Sequence, residues 1–142
     1  MIGKTINEIE IGDSEIFQKT ISESDVYLFA GITGDFNPAH LNDQEAKKTI
    51  FKSRIAHGIL TAGLISAVLG TKLPGPGTIY LDQYLSFKKP VYFGDTITAK
   101  VTVLEKNIDK NIIVCETLCN NQNDEIVLVG KATVMPPKVK GV

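Results

Sequence analysis

The chain has 142 residues, of which 43% are hydrophobic and 22% charged, values that fit one globular domain and exclude a disordered or low-complexity chain. Its 15 basic and 16 acidic residues leave a formal charge of -1, and no Lys or Arg run offers a nucleic-acid surface. The first residues lack the apolar core of a signal peptide, and the apolar stretch 58–70 is too short to cross a bilayer. We therefore expect a single domain over residues 1–142, located in the cytoplasm, with neither a nucleic-acid nor a membrane partner.

The chain begins with a predicted strand and a capped helix. Residues 15–21 have the composition of a strand. Ser22 with Asp25 three residues later predicts a helix start with an acidic first turn. This helix should end at the glycines of residues 31–34.

A loop, a short polar helix and a long apolar helix follow. Residues 35–40 are predicted to form a loop. Asn42 with Glu45 resembles a capping box for a helix over 43–49. Residues 57–70 are apolar on nearly every side, as is typical of a buried helix.

The long predicted helix also carries a row of small residues. Gly58, Ala62 and Ser66 recur at a spacing of four, with Gly63 beside them. Such a row lets a sheet or a second helix approach closely. For most of these positions, a role in packing is at least as good an explanation as a chemical role.

The second half of the chain predicts an antiparallel sheet. Four strand-like runs cover residues 78–88, 96–105, 111–119 and 126–135, and the last three are joined by hairpin-sized polar connections. The whole order indicates an α+β fold in which a curved antiparallel sheet wraps around one central helix. Cys115 and Cys119 lie too far apart along one strand for a disulfide or a shared metal ion, so we expect reduced, buried thiols.

The most informative segment is GDFNPAH, residues 34–40. Pro38 fixes its own backbone and restricts Asn37, so the loop should hold Asp35 and His40 close together. A carboxylate and an imidazole in that arrangement form a base and acid pair suited to adding water to an activated double bond. The alternative is that Asp35 and Asn37 are ordinary turn residues and His40 caps a helix.

His57 and Gly58 stand at the expected start of the long helix. Free N–H groups there can stabilise an oxyanion, and Gly58 has no side chain to obstruct a substrate carbonyl. Close packing of Gly58 and a hydrogen-bonded, half-buried His57 are the alternatives. Ser66 lacks the surrounding glycines of a nucleophile elbow.

A metal site is conceivable from His40, His57, Asp35 and Asp43. The chain has only two histidines, and they lack the spacing of a metal-binding motif. No glycine-rich phosphate loop is present either. The sequence therefore predicts no metal ion and no cofactor.

Two segments together resemble one known family. YLFAGITGDFNPAHLNDQEA, residues 27–46, is similar to the hydratase motif of MaoC-like (R)-specific enoyl-CoA hydratases, and RIAHGILTAGLISAVLGT, residues 54–71, resembles the central-helix segment of that family. The resemblance covers nearly the whole chain. It implies a hot-dog fold, in which an antiparallel sheet wraps around a long helix, and a homodimer that binds acyl-CoA between its subunits.

The resemblance also implies roles for individual residues. Asp35 and His40 would be the catalytic pair, and Gly58 N–H the oxyanion donor. Asn37 would fix the loop, and Ser66 would support the pair. The implied reaction is the reversible addition of water to trans-2-enoyl-CoA, giving (3R)-hydroxyacyl-CoA.

Other functions stay open from the sequence. The same chemistry could act on acyl-carrier-protein thioesters, as a 3-hydroxyacyl-[acyl-carrier-protein] dehydratase of fatty-acid synthesis. A non-catalytic acyl-thioester-binding module and a thioester hydrolase are further alternatives. We expect Phe29, Ile32 and Phe51 to line part of the acyl pocket.

Overall fold

A computed structural model describes residues 1–139 of the chain, so residues 140–142 of the predicted domain lie outside the described residues. Past a short 3-10 turn, the described part forms the following helices and strands in chain order: β1 (Ser14–Thr20), α1 (Glu23–Thr33), α2 (Pro38–Leu41), α3 (Asp43–Lys47), α4 (Gly58–Thr71), β2 (Ile79–Phe87), β3 (Thr96–Asn107), β4 (Ile112–Asn120) and β5 (Ile126–Met135). Within residues 1–139, no helix combines the length and the apolar character needed to span a membrane.

The predicted helix start at Ser22 is confirmed. Ser22 Oγ accepts a hydrogen bond from Asp25 N at 3.1 Å, and Asp25 Oδ2 accepts one from Ser22 N at 2.9 Å. Together they satisfy two N–H groups that the helix cannot satisfy itself. At the other end, Gly34 has a φ of 81°, a left-handed conformation that glycine adopts without strain and that ends α1.

The prediction of a loop over residues 35–40 was wrong in its second half. Pro38 begins the short helix α2, and the Asn37 side chain caps it. Proline suits the first helical position because its ring presets φ and its missing N–H would have had no partner there. The residues that stiffen the segment therefore also make it helical.

The five strands form one antiparallel sheet in the order β1-β3-β4-β5-β2. The neighbours β3, β4 and β5 make the predicted meander. Cys115 and Cys119 lie on β4 as buried free thiols, as expected, and burial raises the pKa of each to about 12. Strands β1 and β2 are the two edges, so one flank of each lacks a pairing strand within residues 1–139.

Helix α4 packs on one face of the sheet, against β1, β3 and β4. Its buried side chains recur at helical spacing and make one stripe: Thr61, Leu64, Ile65, Val68 and Leu69. The expectation of a buried helix is confirmed on this face only. The opposite face is open, with Ile59 57% exposed, because a sheet covers only one side of a helix.

Candidate active site

The turn after α1 presents Asp35. Asp35 N donates to Thr33 Oγ1 at 3.2 Å, and Asp35 Oδ1 accepts from Asn37 N at 3.2 Å. The carboxylate therefore closes a local turn with one oxygen. Its side chain is still 51% exposed, so the other oxygen can contact a ligand or water.

Asn37 and His40 belong to the short helix that follows. Asn37 Oδ1 accepts from Ala39 N at 3.0 Å, the contact that caps α2. His40 lies in the last turn of this helix, where its Nδ1 donates to the Ile55 carbonyl oxygen at 2.7 Å. Since a carbonyl can only accept, the proton is on Nδ1, and Nε2 keeps a free lone pair.

The surroundings of His40 favour its neutral form. Burial lowers the pKa of His40 below its ordinary value, and the nearby His57 also lowers it. The hydrogen bond to the Ile55 carbonyl and the charge of Asp35 act in the opposite direction but do not reverse the shift. A neutral imidazole with a free Nε2 can accept a proton from water near neutral pH.

His57 completes a compact cluster. It is the N-cap residue of α4 and is 2% exposed. Its Nε2 donates to the Asp35 carbonyl oxygen at 3.0 Å. Its ring centroid lies 3.9 Å from that of His40 and 4.8 Å from that of Phe29.

The contact between His57 and His40 could not be read from the sequence. A half-buried, hydrogen-bonded histidine was one expectation, and the structure shows it fully buried and hydrogen-bonded. Its place beside His40 depends on how α2 packs against the start of α4, which no local pattern encodes. The only sequence signal was its position next to Gly58.

Three of the four residues considered as metal ligands come together. One ligand-capable atom from each of Asp35, His40 and His57 lies within 4.8 Å of the others. Asp43 instead forms an ion pair with Lys47 at 2.9 Å. His40 Nδ1 and His57 Nε2 each donate to a carbonyl, so each ring has only one nitrogen left for a metal ion among the described residues. The one left on His57, Nδ1, is buried. This arrangement suits proton transfer better than metal binding.

Gly58 opens onto a cavity of about 420 Å³ at the start of α4. The residues that line it are mostly apolar: Phe51, Ile55, Ala56, Gly58, Ile59, Thr61, Phe87, Lys88, Lys89, Pro90, Val91, Val127 and Leu128. Gly58 is the first residue of α4, and an N–H at that position has no acceptor within the helix. The cavity therefore combines an apolar wall with a hydrogen-bond donor.

The ring of Phe87 lies against Gly58. A Cβ built at Gly58 would lie 2.7 Å from Phe87 Cε1 and 2.8 Å from Phe87 Cδ1. Both proposed reasons for a glycine at this position, close packing and access to the N–H, are thus compatible with the structure.

The three predicted pocket residues have different positions. Phe51 lines the cavity. Phe29 instead packs against His57, and Ile32 is 82% exposed and lies outside the cavity.

Ser66 lies away from the cluster of Asp35, His40 and His57. It is two turns along α4 from Gly58, on the open face of the helix. There it lines a second groove, with Gly63 and with Tyr80 and Leu81 of β2. No described residue hydrogen-bonds to its side chain, so the support that Ser66 was expected to give Asp35 and His40 stays a prediction.

The comparisons with known proteins identify the family. Residues 8–124 match the MaoC like domain. The chain belongs to the MaoC-like domain family. This match contains Asp35, Asn37, His40, His57, Gly58 and Ser66.

Members of the MaoC-like family resemble the chain over nearly its full length. An (R)-specific enoyl-CoA hydratase of Rhodospirillum rubrum is 55% identical over 92% of this chain and 90% of its own. A 3-hydroxybutyryl-CoA dehydratase of Methylorubrum extorquens is 50% identical over 92% of this chain and 83% of its own. The unliganded R-hydratase PhaJ1 from Pseudomonas aeruginosa has a TM-score of 0.92 at 44% identity, covering 96% of this chain and 88% of its own. This likeness confirms the predicted α+β hot-dog fold.

Proposed function

We propose that this MaoC-like chain is an (R)-specific enoyl-CoA hydratase, a hydro-lyase that reversibly adds water to trans-2-enoyl-CoA to give (3R)-hydroxyacyl-CoA. The observation that carries the proposal is the cluster of Asp35, His40 and His57, which holds an exposed carboxylate beside an imidazole with a free Nε2. The names of the relatives that are 55% and 50% identical support the same chemistry.

The proposed mechanism divides the reaction between two sides of the site. The thioester carbonyl accepts a hydrogen bond from Gly58 N–H, which stabilises negative charge as it develops on that oxygen. Asp35 and the free Nε2 of His40 hold a water molecule between them. One of the two takes a proton from this water as its oxygen bonds to C3, and a proton is then delivered to C2. The product gains one hydroxyl and one hydrogen, so no redox partner or cofactor is needed.

Asn37 and Ser66 have supporting roles in this proposal. Asn37 fixes the turn, because its N–H donates to Asp35 Oδ1 and its side chain caps α2. Ser66 has no such contact with any other residue of 1–139, so we propose that its support for the catalytic pair comes across a subunit interface.

A homodimer is part of the proposal. Edge strand β2 carries large exposed apolar side chains, including Leu81 at 46% and Tyr84 at 65% exposure. Beside it, the open face of α4 presents the small residues Ala62, Gly63 and Ser66 in the second groove. An unpaired apolar edge next to a small-residue helix face favours a symmetric interface in which β2 pairs with its copy.

We propose that CoA, rather than an acyl carrier protein, carries the acyl group of the substrate. Lys88 and Lys89 line the cavity. Lys89 forms an ion pair with Glu125, whereas Lys88 is exposed and has no acidic partner among residues 1–139. A free lysine can serve the phosphates of CoA, but it can equally serve an acyl carrier protein, so the dehydratase of fatty-acid synthesis is the second candidate. A cytoplasmic location and a single domain over residues 1–142 remain predictions.

The proposal is tested by following the ultraviolet absorbance of the conjugated enoyl thioester. We expect purified protein to deplete trans-2-butenoyl-CoA or a longer homologue without releasing a free thiol. Running the same acyl chain on CoA and on acyl carrier protein separates the two candidates by kcat/KM. Thiol release would indicate a hydrolase, and binding without turnover a non-catalytic module; either result contradicts the proposal.

A further inference from the structure

We propose that His57 is a positioning residue. It fixes the turn at Asp35 and the ring of His40 in place relative to the start of α4. This inference rests on the proposed hydratase function and deepens it, because it concerns how the two sides of the site are held together. His57 itself is not proposed to touch the substrate.

A hydrogen bond joins His57 to the turn at Asp35. His57 Nε2 donates to the main-chain carbonyl of Asp35 at 3.0 Å, while the Asp35 carboxylate oxygen Oδ2 lies 4.0 Å away. The bond therefore holds the backbone of the turn and leaves the carboxylate oxygen Oδ2 available to water. Because the carbonyl can only accept, Nε2 of His57 carries the proton.

The ring of His57 also contacts the ring of His40. The two ring centroids are 3.9 Å apart, with 30° between the ring planes, so His57 forms one wall of the space in which the His40 ring sits. The Ile55 carbonyl holds the same His40 ring through Nδ1. With the bond on one side and the wall on the other, the free Nε2 of His40 has one defined direction.

His57 also connects the cluster of Asp35, His40 and His57 to the proposed oxyanion donor, Gly58 N–H. His57 is the N-cap residue of α4, and Gly58 is the next residue in the chain. Because the buried His57 ring is hydrogen-bonded to the Asp35 turn, it also fixes the position of Gly58 N–H relative to Asp35 and His40. Misplacing reacting groups by about 1 Å can reduce turnover on the order of 10²-fold.

Within residues 1–139, a single hydrogen bond holds the His57 ring. His57 Nδ1 has no hydrogen-bond partner among the described residues. The position of the ring therefore depends on the Nε2 bond and on packing. This gives variants that separate the two contributions.

Three variants make the test. His57→Gln places an amide N–H near the position of Nε2, whereas His57→Asn carries the same amide on a side chain that is too short to reach Asp35. His57→Phe keeps a ring against His40 but cannot donate. We expect His57→Phe and His57→Asn to lower kcat about 10²-fold with little change in KM, and His57→Gln to recover a large part of that loss.

Equal kcat for His57→Gln and His57→Asn would overturn the proposal, because only the reach of the amide differs between them. Wild-type kcat in His57→Phe would overturn it as well. If instead the wild-type protein fails to hydrate any enoyl thioester, the proposed function fails. The arrangement around His57 is then tested only by nuclear magnetic resonance of the two histidine rings.

A nuclear magnetic resonance measurement tests the arrangement around His57 without any substrate and without changing His57 itself. The chain has two histidines, so their ring ¹⁵N resonances can be assigned with a single His40→Gln sample. We expect opposite tautomers at neutral pH, with the proton on Nε2 in His57 and on Nδ1 in His40. A His57 ring protonated on Nδ1 alone would overturn the proposal, because it could not hold the Asp35 carbonyl.

Discussion

Replacing Gly58 with alanine tests its proposed role as oxyanion donor without changing Asp35 or His40. The backbone at Gly58 does not have a positive φ, so alanine itself fits the conformation. The added Cβ would lie 2.7 Å from the Phe87 ring, but Phe87 is 52% exposed and can turn away. If the methyl group then occupies the place of the thioester oxygen, the loss should match that of one oxyanion donor, about 10²- to 10³-fold in kcat.

The double variant Gly58→Ala/Phe87→Ala separates this effect from crowding. Removing the ring takes away the three nearest contacts of the new Cβ, which are all to Phe87, so a loss caused by crowding against this ring should be recovered. A loss caused by a blocked N–H should persist. Gly70→Ala is the matched control, since Gly70 is also in α4 and a Cβ there would have nothing within 4 Å. It should keep turnover and gain roughly 0.5–1 kcal/mol of stability. Full activity of Gly58→Ala, with the melting temperature measured on the same sample, would refute the placement of the carbonyl.

Further predictions concern the catalytic pair, pH and assembly. Asp35→Asn and His40→Gln should each lower turnover about 10²- to 10⁴-fold while circular dichroism stays that of the wild type; more than half of wild-type turnover in either would reject the pair. Because burial lowers the pKa of His40, kcat/KM for hydration should fall only below the ordinary histidine value of about 6.5, and an acid limb above it would contradict the assignment. The same shift means that the stability contributed by neutral His40 is fully present above about pH 6.5 and is lost as pH falls through the lowered folded value, which melting curves can follow. Light scattering at micromolar concentration should show a dimer that Leu81→Lys disrupts, whereas Ile108→Lys, at a similarly exposed apolar position outside β2, should leave it intact.

Local sequence patterns predicted most of the elements because their causes are local. The Ser22 capping box, the Gly34 helix end and the alternating residues of β3 each follow from interactions within a few positions. The same reasoning placed Asp35 and His40 on one stiff segment. It missed α2, where Pro38 and Asn37 favour a helix start as well as a turn.

The remaining features depend on contacts between distant segments. The stacking of His57 on His40 joins residues 17 positions apart, and the contact of Phe87 with the start of α4 joins residues 29 apart. The open face of α4 was also not evident, because an apolar helix has the same sequence pattern whether its own sheet or a second subunit covers it.

The configuration of the product tests the central claim most directly. Purified protein would be incubated with a trans-2-enoyl-CoA, and the 3-hydroxyacyl product hydrolysed and resolved by chiral chromatography. We predict a single product of (3R) configuration, with no free CoA formed before the chemical hydrolysis. A (3S) product, a racemic mixture, unreacted enoyl-CoA, or enzymatic release of free CoA would contradict the assignment of this chain as an (R)-specific hydratase.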